Sequence, residues 1–226
     1  MILVRRLAFA LLVITLAYNA AEGALSIFAG VEAESIVLLS FGADSYLEVA
    51  AAGAVLWRLS YRDEEAGERA EERAMRMIGV TFLLLAVAIV FQSAYSLAAH
   101  RNADESGLGL LVLAASMVIM PPLAAAKLWA AARTNLPVLA AEAKETIACS
   151  YLTLTALVGL LAVALLGWWW LDAAAALCMA PWLVREGMEG VRAEACFDAS
   201  ARPCFCRACL FGMRACDPTC CAPACC

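Results

Sequence analysis

Six apolar runs divide the chain, at residues 7–29, 34–57, 77–99, 107–130, 143–166 and 169–187, with short polar connections between them. Each is close to the ~20 residues that a helix needs to cross the hydrocarbon of a bilayer. The pattern predicts an all-α protein, a six-helix transmembrane bundle. Polar positions inside the runs fall at helical spacing. Thr15, Asn19, Glu22 and Ser26 stand at i, i+4, i+7 and i+11, one stripe that faces the interior of a bundle. In the second run, from Ser35 to Arg58, Asp44 and Glu48 lie one turn apart on one face. In the fifth, Glu142, Glu145, Cys149 and Thr153 again share a face, and Glu145 and Cys149 repeat the i, i+4 spacing.

Carboxylates at such depth cost roughly 2.5 to 3.5 kcal/mol each on insertion scales, so Asp44 and Glu48 face protein and need a cationic partner. Either a base on another helix compensates them or a cation passes through. The scarcity of Lys and Arg inside the runs favours the passing cation. Glu22 leaves two options open: a place on the cation path, or a solvated acid at the outer interface.

Composition agrees with the pattern. With 226 residues, 65% of them hydrophobic, and a mean hydropathy of +0.81, the chain is too apolar for a soluble domain; a multi-pass integral membrane protein is expected, with the lipid bilayer as its first partner. The connections are too short for a catalytic ectodomain, so no enzyme is expected. A net charge of −5 and the lack of a basic block argue against nucleic acid. Arg5, Arg6, the arginines from Arg58 to Arg76, Lys127, Arg133, Lys144 and those from Arg185 onward alternate with connections in which only Arg101 is basic. By the positive-inside rule both termini are cytoplasmic. The first 22 residues also have the make-up of a secretory signal, but the continuing polar stripe and the charge alternation favour a retained helix.

Local signals refine the picture. Residues 60–76 alternate acids and arginines as a solvated helical face does. Pro121 and Pro122 are expected to kink the fourth helix, Asn135 and Pro137 to start the fifth as cap and first-turn proline, and Asp172 to cap the sixth. Trp168, Trp169 and Trp170 fall where an interfacial aromatic belt belongs. Two i, i+4 pairs on two helices supply Asp44, Glu48, Glu145 and Cys149, three oxygen ligands and one sulfur, a set that suits tetrahedral zinc. Counted at ~1.5 Å per residue from the outer ends, Glu48 and Cys149 are level and Glu145 lies about a turn deeper.

These residues resemble the transmembrane part of the cation diffusion facilitator family, over about residues 7–190. Asp44 and Glu48 stand at the family's helix-2 Asp-x-x-x-Asp, Glu145 and Cys149 at its helix-5 His-x-x-x-Asp, and residues 168–190 look like its sixth helix. The resemblance implies a transporter that exports zinc, or Cd²⁺, Fe²⁺ or Mn²⁺, from the cytosol in exchange for protons. Both helix-5 positions depart from the family, which leaves metal choice open. Only a short tail, 191–226, follows the domain of residues 1–190, so the match is to the branch without a cytoplasmic domain, in a bacterial-type cell membrane, and any homodimer forms through the membrane helices. Nine of the eleven cysteines lie from Cys196 onward, among them Cys204, Cys206 and Cys209. Such a tail suits capture of soft metal in a reducing compartment. The alternative function is a membrane thiol or metal-binding protein, redox or scaffold, that works through this tail.

Overall fold

A computed structural model of the chain describes residues 2–32, 36–61, 64–99 and 107–192; the Cys-rich tail, with Cys204, Cys206 and Cys209, and the connection with His100 lie outside them. Six helices make up the described residues: α1 (Ile2–Glu32), α2 (Ile36–Ser60), α3 (Glu64–Ala99), α4 (Gly107–Thr134), α5 (Pro137–Leu166) and α6 (Leu171–Val191). Each apolar run has its own helix, although α6 opens only at Leu171, after Trp169 and Trp170, and no strand occurs among the described residues. Three helices, α1, α3 and α4, have the length and apolarity of membrane spans. The other three carry ionisable residues along their length, including Asp44, Glu48 and Arg58 in α2, Glu142, Lys144 and Glu145 in α5, and Arg185, Glu186 and Glu189 in α6.

The helices pack as a ring of α1, α2, α5 and α4, with α3 lying against α2 and α5 and paired with α6, which also rests on α5. Polarity is inverted relative to a water-soluble domain. Phe91, Val118, Leu111 and Leu165 stand outside, each about 70% exposed or more by side chain at 73%, 73%, 69% and 72%, whereas Lys127, Glu48, Glu142 and Glu145 are inside at 0–1%. An apolar exterior of this extent suits hydrocarbon, where lipid replaces water as the neighbour of every outward side chain.

Ion pairs organise one end of the bundle. The Arg5 guanidinium donates to the Leu59 carbonyl at 2.8 Å, a cation on the C-terminal turn of α2. Residues 64–76 are not a separate helix but the opening turns of α3, which runs unbroken for 36 residues. Their exposed face carries the expected i, i+4 pairs Glu65–Arg69 and Glu72–Arg76, while Arg58 reaches across from α2 to Glu71 at 2.8 Å.

Two capping expectations change. Asn135 has φ of 52°, the left-handed conformation that ends a helix, so it terminates α4 instead of capping α5. The Leu136 carbonyl accepts from Ala140 N–H at 3.3 Å, and Pro137 is the first residue of α5, where its missing N–H costs nothing. Trp170, not Asp172, occupies the N-cap of α6; Asp172 lies in its first turn, where the helix dipole favours an acid. Helix α4 continues through both Pro121 and Pro122.

Small residues let the helix backbones meet, the usual means of helix association where lipid is as apolar as the side chains. A Cβ built on Gly79 of α3 would lie 2.4 Å from Val191 N and 2.7 Å from both Gly187 O and Gly190 C, all backbone atoms of α6. The edge-to-face pair of Phe82 and Trp182, 6.0 Å between centroids, joins the same two helices. Gly79→Ala is therefore expected to force α3 and α6 apart and cost about 1–3 kcal/mol. Gly53→Ala, in α2 with nothing within 4 Å of the new Cβ, is expected to be neutral or to gain about 0.5–1 kcal/mol from helix propensity. Thermal unfolding of the two variants in detergent compares them directly; equal melting temperatures would contradict the contact.

Candidate functional site

The polar stripes predicted on three helices converge in the interior of the four-helix ring. Thr15, Asn19, Glu22 and Ser26 of α1 are at most 3% exposed. Asp44, Ser45 and Glu48 of α2 and Glu142, Glu145, Cys149 and Thr153 of α5 are equally enclosed, at 6% or less. Glu22 thus belongs to the interior cluster and not to a solvated interface. It accepts hydrogen bonds from Tyr18 Oη at 3.0 Å and from Ser45 Oγ at 3.1 Å, with Ser116 of α4 beside it.

Helices α2 and α5 run antiparallel, so the i, i+4 pairs meet crosswise. Asp44 lies beside Cys149, and Glu145 lies near Glu48. Cys149 lies within reach of both Glu48 and Asp44. All four predicted ligands therefore share the α2–α5 interface. In the present rotamers no three Cys, His, Asp or Glu side chains among the described residues are close enough to hold one ion.

One participant was misread from sequence. Lys127 flanks no connection: it is fully buried in α4, paired with Glu142 Oε1 at 2.6 Å and donating to Thr146 Oγ1 at 2.8 Å. The sequence signal for it was a lone base within the apolar run 107–130, seven residues short of the end of α4. A buried ammonium requires such a partner, because an uncompensated charge is expensive in low dielectric. Its hydrogen bonds go to α5, and although its charge also acts on Glu48, that carboxylate is bonded instead by Asn19 Nδ2 at 2.5 Å. Lys144, the next base, pairs with Glu186 of α6 at 2.6 Å and leaves the cluster alone.

The balance is uneven. Five carboxylates, Glu22, Asp44, Glu48, Glu142 and Glu145, share this interior with Lys127, the one buried base among the described residues. Asp44 Oδ1, Glu48 Oε1, Glu142 Oε2 and both Glu145 oxygens have no hydrogen-bond partner. A buried acceptor left unsatisfied costs about 1–3 kcal/mol, so this set of oxygens, with the Cys149 sulfur among them, is suited to take up protons or a cation. The mixture of hard oxygen and soft sulfur admits zinc and its neighbours in the first transition series. The other described cysteine, Cys178, is exposed on α6 and away from this interior.

In a scan against protein-family models and a search of curated proteins, nothing matches this chain.

Proposed function

We propose that this chain is a divalent metal cation transporter of the cation-diffusion-facilitator type, exporting zinc from the cytosol in exchange for protons through a site between α2 and α5. In this reading all six helices span the bilayer and both termini are cytoplasmic. The observation that carries the proposal is the co-burial of Asp44, Glu48, Glu145 and Cys149 in an interior where carboxylates outnumber bases five to one. A structural ion-pair network would balance its charges; an excess of acids on this scale suits a charge that comes and goes.

The cycle is alternating access. With the interface open to the cytosol, the metal displaces protons from Glu48, Glu145 and Cys149, and the four side chains gather on it. Rocking of the helices then exposes the site outward, where protons compete for the same groups and release the ion. Exchange therefore needs no second proton path. Lys127 keeps Glu142 neutralised throughout, so Glu142 is not offered to the metal.

The test is zinc flux into proteoliposomes that hold the full chain, under an imposed pH difference. Uptake above that of protein-free vesicles, with protons moving the opposite way, is expected. No flux of zinc, cadmium, manganese or iron(II) at any pH difference overturns the reading.

A further inference from the structure

Beyond Asp44 the bundle holds a cavity of ≈ 80 Å³ walled by α2, α3, α4, α5 and α6. At about 30 Å³ per water it has room for a few water molecules or a partly hydrated ion. It is lined by the opening turns of α2 and α6 and the closing turns of α3, which places it at the end of the bundle opposite the N-terminus of α1 and the C-terminus of α6. Apolar side chains make up most of its wall, and its polar groups are two acids, Asp44 and Asp172, with hydroxyls such as Thr155 and the Gln92 amide.

The two acids mark different levels. Asp44 touches Cys149, whereas Asp172 contacts Thr155 and lies against Gly159, where an added Cβ would come within 2.5 Å of the Asp172 Cβ. Those positions are six to ten residues further along α5, roughly 9–15 Å at the helical rise. Placement in the first turn of α6 accounts for an acid at position 172, since the helix dipole favours it. It does not account for a shared cavity with Asp44, which is 94% enclosed at 6% exposure and whose Oδ1 lacks a hydrogen-bond partner.

We propose that this cavity is the exit path of the transported cation and that Asp172, with Thr155, is a second station that holds the ion, partly hydrated, after it leaves the α2–α5 site. The inference rests on the transport reading above and adds to it a path and a residue. Hard oxygen groups set among apolar side chains suit an ion that regains water as it departs, because hard ligands compete weakly for zinc against Cys149 and exchange quickly with solvent.

The experiment compares zinc binding and zinc flux for the full chain in proteoliposomes. Asp172→Asn keeps the side-chain shape and removes the charge; it is expected to lower turnover about tenfold, the scale of one lost charge-assisted contact, while the half-saturating zinc on the entry side stays within about twofold of the parent. Asp172→Glu is expected to restore most of the turnover, and a melting temperature of Asp172→Asn in detergent equal to the parent's, alongside its lower turnover, separates a hold on the ion from support of the α6 dipole. Ala176→Phe, which plugs the cavity from α6, is expected to stop flux with equilibrium zinc binding retained. Normal turnover in both Asp172→Asn and Ala176→Phe, alongside loss of flux in Asp44→Ala, overturns the exit path and leaves the transport reading standing. Normal flux in Asp44→Ala removes both.

Discussion

Asp44→Ala and Glu48→Ala are each expected to abolish zinc uptake into proteoliposomes and equilibrium binding of zinc to the purified protein. The two side chains are the α2 half of the interface, and Asp44 and Glu48 meet the α5 half, Cys149 and Glu145, across it. Removing one oxygen donor from a four-ligand set costs the metal one of its bonds in a cavity where little else can replace it. An effect of about 100-fold or more on affinity is expected, the upper end of what even outer-shell partners cost. Asp44→Ala deletes an acceptor, Oδ1, that has no partner to lose, and is expected to leave the melting temperature in detergent unchanged or raised. Glu48→Ala removes the unpartnered Oε1 but also the acceptor of Asn19 Nδ2, and is expected to cost about 1–3 kcal/mol for the buried donor it leaves unpaired. Cys149→Ser, which exchanges a soft ligand for a hard one at a site 1% exposed, is expected to retain flux but to lower the preference for cadmium over manganese. Flux at the parental level in both alanine variants would show that the acids do not hold the ion.

Lys127→Ala is the most destabilising single replacement expected in the bundle. It removes the ammonium from Glu142 and Thr146 and leaves a buried carboxylate, 1% exposed, without its charged partner. Breaking a buried pair from one side costs about 3–5 kcal/mol, most of it the burden of the charge left behind. The double replacement Lys127→Met with Glu142→Leu deletes both charges and fills their volume, and is expected to recover most of that loss. Thermal unfolding of the two single variants and the double gives the coupling energy as a cycle. A coupling near zero would mean that Lys127 is held by something other than Glu142. Asp44 and Glu48 lie on α2, outside this pair, so the double variant is also expected to keep zinc binding if Lys127 is a structural base.

How far each feature could be read from sequence depended on the range of the force that decides it. Helix positions were legible because hydrophobic runs and i, i+4 stripes are local: each run has its own helix, and the stripe from Thr15 to Ser26 is buried as its spacing requires. Helix ends were less so. Asn135 reads equally as the cap of one helix or the end of the one before, and only its backbone conformation distinguishes them. Residues 64–76 differ in polarity from the run that follows, yet propensity and paired charges make them the opening turns of α3 without a break.

The chain alone determined which faces are polar, that Asp44 and Glu48 share one, and that Glu145 and Cys149 share another, since a helix of fixed pitch turns spacing into direction. Tertiary packing decided which faces meet: that Asp44 touches Cys149, that Glu22 is drawn into the same interior, and that Lys127 turns inward to Glu142. A lysine near a helix end can reach outward to headgroups or inward to an acid at similar cost in chain geometry. The choice follows from the desolvated carboxylate on the neighbouring helix, a partner fifteen residues away that no local pattern announces.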